Sequence, residues 1–192
     1  MKRRKETPDD TLGRFMSYVL RHHPEAAGLT LDGEGWADVD KLMEGMTKAG
    51  HPIDRETLER IVRENNKKRY TLSEDGRRIR ANQGHSVDVH IEMEKRTPPE
   101  RLYHGTADRF LDSIKEQGIR RMARQYVHLS PNVPTAVNVG SRHGKPVVLA
   151  IDTAQMTADG FDFFISANGV WQSEDIPWRY VSEVIYPEKG KE

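Results

Sequence analysis

The sequence contains no cysteine, and this absence excludes several classes of protein at once. Without thiols the chain cannot form a disulfide scaffold, a cysteine nucleophile, a zinc ribbon or a cysteine-held iron–sulfur cluster. It also lacks any run of about 18 apolar residues, so we expect no membrane-spanning helix. The first six residues are basic and no apolar stretch follows them, so the sequence predicts no secretory signal and a cytoplasmic protein.

The common nucleotide-binding and hydrolase motifs are missing as well. No G-x-G-x-x-G pattern follows a predicted strand, no P-loop pattern occurs, and neither G-x-S-x-G nor H-E-x-x-H is present. The eight histidines are scattered, and no two lie three or four residues apart on a predicted helix. We therefore expect no metal site.

Charge is balanced over the whole chain but not locally. Lys and Arg total 30, as do Asp and Glu, so the formal net charge is zero. Between residues 60 and 80, however, eight basic side chains stand against three acidic ones. Such a segment can hold a polyanion, because phosphate contacts are local. A solvated charged face explains it equally well at this point.

The first half of the sequence has the order of a winged helix. Apolar residues recur at helical spacing over 12–20, behind an Asp-Asp-Thr cap at 9–11. Further helices are predicted from Asp38 and after Asp54. Two short strand segments between residues 69 and 80 flank an Asp-Gly pair, which is typical of a β-hairpin. Three helices followed by a basic hairpin are therefore expected.

A domain boundary is predicted at Thr97-Pro98-Pro99. It divides the chain into an N-terminal domain, residues 1–96, and a C-terminal domain, residues 97–192. Short strands with few helices between them dominate after this boundary. This pattern predicts the α+β class rather than a doubly wound parallel sheet.

The second half contains six strand candidates and two helices. The strand candidates lie at residues 101–104, 126–130, 147–152, 161–165, 169–172 and 180–186. One helix is predicted near 108–117, with Phe110, Leu111 and Ile114 facing inward, and the other near 135–139.

Several short strings combine arginine or histidine with small polar residues. Each has a plain structural explanation when taken alone: Arg21 can satisfy a helix C-terminus, His104 can be a half-buried strand residue, Gly105 can form a turn, and Trp171 can pack in a core. Taken together, seven strings in order resemble the RNA 2′-phosphotransferase family, enzymes that remove the splice-junction 2′-phosphate from tRNA. The strings occupy residues 17–22, 35–40, 67–70, 79–86, 102–106, 122–130 and 168–171, and the resemblance extends from about residue 11 to residue 187.

The resemblance implies a fold and a reaction. It implies an N-terminal winged-helix lobe and a C-terminal lobe like the ADP-ribosyltransferases, with a split antiparallel sheet. NAD would be a consumed co-substrate. The RNA 2′-phosphate would displace nicotinamide to give a 2′-phospho-ADP-ribosyl RNA. The ribose 2″-hydroxyl would then attack that phosphate, releasing RNA with a 2′-hydroxyl and ADP-ribose 1″,2″-cyclic phosphate.

The resemblance also implies site residues. The catalytic set falls on Arg21, His22, Arg69 and Arg124. The NAD pocket would include His104, Gly105, Thr106, His128, Ser130, Arg142, His143 and Gly144. RNA phosphates would be held by Lys67, Lys68, Arg69 and Arg80.

These residue types suit the implied chemistry. Guanidinium groups stay charged and bind phosphate oxygens bidentately, so they can stabilise charge that builds up on phosphorus. His22 titrates near neutral pH and can move a proton in the second step. A phosphate nucleophile needs no base to activate it, so the first step is largely a matter of positioning.

Two other functions stay open at this stage. An enzyme of the same fold would cap terminal phosphates of nucleic acids with ADP-ribose and stop there. A winged-helix DNA-binding regulator would use its second lobe to sense a nucleotide. No segment is typical of a dimerisation helix, so we expect a monomer.

Overall fold

The computed structural model describes residues 7–65, 67–91 and 93–187. The first six residues, on which the expectation about a secretory signal rests, lie outside these ranges. The helices of the described chain are α1 Pro8–Arg21, α2 Val39–Lys48, α3 Arg55–Glu64, α4 Leu111–Gln117, α5 Val133–Gly140 and α6 Thr153–Ala158. The strands are β1 Ala37–Asp38, β2 Tyr70–Leu72, β3 Arg78–Ala81, β4 Glu94–Lys95, β5 Arg101–Ala107, β6 Val127–Leu129, β7 Pro146–Asp152, β8 Phe163–Ile165, β9 Trp171–Ser173 and β10 Val181–Ile185.

The chain divides between residues 92 and 93 into two compact units. In the N-terminal unit, three helices accompany an antiparallel sheet with the strand order β1-β3-β2. Ile79 lies opposite Ala37, and Ala81 lies opposite Tyr70. These four side chains are buried in the core of the unit. Because successive strand residues point to opposite faces, Arg78 and Arg80 lie on the other face of the sheet.

The predicted helices and hairpin of this unit are confirmed, but the predicted cap of α1 is wrong. Thr7, not the segment 9–11, caps the helix. The Thr7 hydroxyl accepts a hydrogen bond from the Asp10 backbone N–H at 3.2 Å, and the Asp10 carboxylate accepts one from the Thr7 N–H at 2.9 Å. Pro8 then occupies the first helical position, where its missing N–H costs nothing. This reciprocal pair satisfies two groups at once, so the helix begins earlier than expected.

The C-terminal unit contains two antiparallel sheets. One has the strand order β10-β7-β5 and the other β4-β8-β9-β6. A backbone bridge between Tyr103 and Ser130 joins β5 to β6. Apolar side chains such as Leu149 and Phe163 fill the core of this unit. Helices interspersed among small antiparallel sheets confirm the α+β class.

All six predicted strands of this unit are present, and two details of the prediction are wrong. Strand β5 continues to Ala107, so Gly105 lies inside a strand and not in a turn. The predicted helix at 108–117 begins as a 3₁₀ turn, Asp108–Phe110, and Phe110 is 42% exposed instead of facing inward. The Arg109 guanidinium lies 4.7 Å from the centre of the Phe110 ring. The ring therefore stacks against a surface arginine and not against core side chains.

None of the helices within the described ranges is long and apolar enough to cross a membrane.

Candidate active site

Arg21 and His22 lie at the C-terminal end of α1, where the helix dipole favours cations. The segment after β3 packs against this end through Ser86. The backbone N–H of Ser86 donates to the Arg21 carbonyl at 2.9 Å, and the Ser86 hydroxyl lies 2.9 Å from Nδ1 of His22. One residue therefore holds both the backbone of Arg21 and the imidazole of His22.

Tyr70 fixes β2 to α1 and so determines where Arg69 stands. The Tyr70 phenol donates to the Gly13 carbonyl, which leaves the Ser17 hydroxyl as the donor in its 2.6 Å contact with the phenol. Burial raises the pKa of Tyr70, and the Ser17 hydrogen bond and the charges of Arg21 and Arg69 oppose that rise. Both guanidinium groups therefore lie within electrostatic reach of one phenol.

Asn82 holds the backbone on either side of Arg69. Its amide donates to the Lys68 carbonyl at 2.7 Å, and its backbone N–H donates to the Arg69 carbonyl at 2.8 Å. The amide oxygen accepts from the Thr71 hydroxyl at 2.7 Å. Lys68 adopts a left-handed backbone conformation with φ 41°, which these bonds help to maintain. Asn82 is buried and so acts as an internal clamp for the start of β2.

His85 lies close to several basic side chains of this unit. Burial, together with smaller effects from Arg21, His22 and Arg80, lowers its pKa to about 4. The imidazole is therefore neutral at neutral pH.

The N-terminal unit thus brings four predicted residues together: Arg21, His22, Arg69 and Arg80. Lys67 and Lys68 are exposed at the entry to β2. A cluster of guanidinium groups on a backbone fixed by hydrogen bonds is suited to bind a phosphate, because guanidinium groups bind phosphate oxygens bidentately.

Two histidines in the C-terminal unit have defined tautomers. His104 donates from Nδ1 to the His128 carbonyl at 3.2 Å, so its Nε2 carries a lone pair. Nδ1 of His128 accepts a hydrogen bond from Nη1 of Arg124 at 3.1 Å, so the proton of this imidazole is on Nε2. Burial lowers the pKa of His104, with smaller effects from Arg124 and His143, so this imidazole is neutral at neutral pH.

Arg124 lies in the loop that precedes β6. Much of its side chain is exposed, yet desolvation of the guanidinium lowers its pKa, and Arg142 lowers it further. His143 acts on the pKa of His104, as described above. The structure therefore brings five predicted residues together: His104, Arg124, His128, Arg142 and His143. Gly144 follows them in the same exposed loop.

The other predicted pocket residues lie where α5 meets β5. A Cβ on Gly105 would stand 1.8 Å from the Ala136 carbonyl oxygen, and a Cβ on Gly140 would stand 2.4 Å from the Thr106 carbonyl oxygen. Thr106 and Ser130 are buried. Gly105 is therefore required by the close approach of the helix, and this requirement supports the backbone beside His104.

Gln172 is a buried polar residue that directly follows the string at residues 168–171. It lies on β9 between His128 on β6 and Phe164 on β8, and it is 3% exposed. Its Nε2 has no hydrogen-bond partner among the described residues. A buried amide donor without a partner is costly, so it marks a place where a ligand acceptor would be stabilised. Its position in the sequence shows only a strand, because burial depends on tertiary packing.

Among the residues that the structure describes, no group of three or more His, Asp or Glu side chains is arranged to hold a metal ion.

Comparison with known proteins gives matches over most of the chain. The family model described as RNA 2′-phosphotransferase, Tpt1/KptA family, matches residues 7–175. A protein of Burkholderia lata named probable RNA 2′-phosphotransferase is 50% identical over 185 residues, or 94% of each chain. A protein of the same name from Agrobacterium fabrum is 53% identical over 169 residues, covering 88% of this chain and 91% of its own. Another, from Pseudomonas aeruginosa, is 52% identical over 180 residues, covering 93% and 98%.

Proposed function

The chain belongs to the RNA 2′-phosphotransferase family, and we propose that it transfers the 2′-phosphate of an RNA to NAD, which is consumed. The products are RNA with a 2′-hydroxyl, ADP-ribose 1″,2″-cyclic phosphate and nicotinamide. In this proposal residues 1–96 form a winged-helix lobe and residues 97–192 an ADP-ribosyltransferase-like lobe. A tRNA-like RNA is the expected substrate, and a cytoplasmic monomer is the expected form.

The observation that carries the proposal is the cation cluster of the N-terminal unit. The backbone of Arg21 and Arg69 and the imidazole of His22 are held by residues that do no chemistry themselves, namely Ser86 and Asn82. Residues whose backbone is fixed in advance lose less conformational freedom when they bind a phosphate dianion.

The C-terminal unit has donors and acceptors that fit NAD. His104 Nε2 can accept a hydrogen bond from a ribose hydroxyl. Gln172 adds a buried donor that suits a carboxamide or ribose oxygen. Arg142 supplies positive charge for diphosphate oxygens. NAD bound there contributes a pyridinium leaving group and an electrophilic ribose carbon.

The roles of the side chains follow from the charges that they meet. In the first step the phosphate oxygen attacks the ribose carbon as nicotinamide departs, so the task of Arg21 and Arg69 is to orient the dianion. In the second step the ribose 2″-hydroxyl attacks phosphorus while the bond from phosphorus to the RNA 2′-oxygen breaks, and negative charge builds up on the phosphoryl oxygens. Arg69 and Arg124 stabilise that charge, and His22 takes or returns the proton.

The test uses a 2′-phosphorylated oligonucleotide with and without NAD. We expect loss of the 2′-phosphate only when NAD is present, with release of nicotinamide. Added chelator should leave the rate unchanged, because no step in the proposal uses a metal. Phosphate that stays on the RNA in the presence of NAD would overturn the proposal.

Capping of terminal phosphates is the second candidate. The cluster of Arg21, His22 and Arg69 would bind a terminal phosphate by the same contacts, which favours this candidate more than a DNA-binding regulator. Labelled NAD offered with 5′-phosphate and 2′-phosphate oligonucleotides separates the two: lasting label on the 5′ end indicates capping, whereas phosphate removal indicates transfer.

A further inference from the structure

We propose that the outer face of the N-terminal sheet binds the RNA strand next to the phosphorylated nucleotide, through a clamp made of Trp36, Arg78 and Arg80. This inference rests on the proposed function, since it takes RNA as the ligand. The clamp would grip two successive phosphates of the strand. It lies outside the residues assigned above to the chemical steps.

The register of the sheet places the three side chains on one face. Ala37 lies opposite Ile79, and both side chains are buried in the core. Their neighbours along the strands, Trp36 on one side and Arg78 and Arg80 on the other, therefore lie on the outer face. The Arg80 guanidinium is 4.6 Å from the centre of the Trp36 ring, and that of Arg78 is 5.2 Å away.

The clamp is ordered before any ligand binds. Stacking on an indole restrains both guanidinium groups. The Asp32 carboxylate accepts a hydrogen bond from the Trp36 backbone N–H at 2.9 Å and lies 3.6 Å from Arg78 Nη1. One carboxylate therefore ties the tryptophan to an arginine. Arginines that are already held lose less entropy on binding than free surface side chains.

One hydrogen-bond donor of the clamp has no acceptor, and this indicates what kind of ligand would complete it. Nε of Arg80 is buried and has no hydrogen-bond partner among the described residues. A charged N–H in that state is costly unless a ligand supplies an acceptor. Two guanidinium groups stacked on one indole favour an anionic ligand, and a phosphodiester strand supplies both the charge and the acceptor.

The spacing suits a strand that runs toward the catalytic cluster. Arg78 and Arg80 are two residues apart on β3, about 6.6 Å along the strand, which is comparable with the distance between successive phosphates. Thr71 on β2 lies opposite Arg80, and Arg69 lies two residues before it on the same alternation. A row of contacts therefore leads from Trp36 across the sheet to Arg69.

The experiment compares a long and a short RNA. Binding of a 2′-phosphorylated oligonucleotide of about ten nucleotides is measured by fluorescence anisotropy without NAD, and turnover is measured for it and for a 2′-phosphorylated dinucleotide. Arg78→Ala should raise the Kd of the long RNA about 3–10-fold and reduce the salt dependence of binding by about one phosphate contact. Its KM for the long RNA should rise more than its KM for the dinucleotide. Trp36→Leu should weaken binding at least as much, because it releases both arginines.

Arg77→Ala is the matched control. Arg77 is adjacent and exposed, and its backbone belongs to the Asp75 turn. It should leave Kd within about twofold of the wild type. Equal losses in Arg77→Ala and Arg78→Ala, or a Kd that Arg78→Ala does not change, would overturn the clamp. If Arg78→Ala weakens binding while the wild type transfers no phosphate, the clamp stands and the proposed function fails.

Discussion

The imidazole of His22 and the hydroxyl of Ser86 are 64 residues apart in the chain and 2.9 Å apart in the structure. This contact engages Nδ1 of His22 and so fixes the orientation of the imidazole. The backbone bond from Ser86 to Arg21 holds the same segment in place. Ser86 is thus a positioning residue for both neighbours.

Replacing Ser86 separates these two contacts. Ser86→Ala keeps the backbone bond but removes the hydroxyl, so kcat should fall about 5–10-fold, which corresponds to about 1 kcal/mol of lost hydrogen bonding. Ser86→Thr retains a hydroxyl and should restore most of the rate. Equal kcat for Ser86→Ala and the wild type would remove Ser86 from this role.

Arg69 and Arg124 should be needed for phosphate transfer. Arg69→Ala and Arg124→Ala should each lower turnover of 2′-phosphorylated RNA by about 100-fold or more, because each removes a charge from the transition state. If the second step suffers more, ADP-ribosylated RNA accumulates and gel mobility detects it. Arg109→Ala, which alters an exposed arginine stacked on Phe110, is the control. Turnover at the wild-type rate in either test variant would exclude that arginine from the site.

The contact between α5 and β5 should be intolerant of a single methyl group. In Gly105→Ala the new Cβ would meet the Ala136 carbonyl oxygen at 1.8 Å, so helix and strand must separate. We expect a loss of about 1–3 kcal/mol in the free energy of unfolding and a lower Tm in calorimetry. Gly33→Ala, where no atom lies within 4 Å of the new Cβ, should leave Tm almost unchanged. Equal Tm values for the two variants would contradict the close packing.

His85 should make stability fall in acid. Its folded pKa is about 4, against the ordinary 6.5, so the unfolded chain binds a proton more readily. The contribution of His85 to stability is therefore complete above pH 6.5 and is lost as pH falls from 6.5 to 4, by about 3 kcal/mol at most. Urea unfolding at pH 7 and pH 5 should show a smaller decline for His85→Gln than for the wild type. Parallel declines would show that the imidazole does not titrate in this way.

Local patterns are enough to predict most of the helices and strands. Asp38 and Asp54 cap α2 and α3 as their positions suggest, since each accepts a backbone N–H three residues on. The Asp-Gly pair between β2 and β3 encodes a tight turn. Strand β1 is not predictable in this way, because two residues show no alternation and pair only through the tertiary fold. The prediction that Phe110 faces inward is wrong because the first turn of this segment is a 3₁₀ helix, in which side chains do not follow α-helical spacing.

For the candidate site, too, some residues could be predicted from the sequence and others could not. Arginine and histidine strings indicate Arg21, His22 and Arg124 through the family resemblance. The supporting residues are harder to find, because Asn82 and Ser86 act through hydrogen bonds to distant backbone or side-chain atoms. Asn82 does leave a trace, since an asparagine at a strand end favours a turn unless its amide is satisfied elsewhere. Burial of Gln172 leaves none.

The most direct measurement is mass analysis of the nucleotide products after the protein, NAD and a 2′-phosphorylated oligonucleotide are mixed. The account predicts ADP-ribose 1″,2″-cyclic phosphate in a one-to-one ratio with RNA that has lost its 2′-phosphate. Intact NAD beside dephosphorylated RNA and free inorganic phosphate would contradict it.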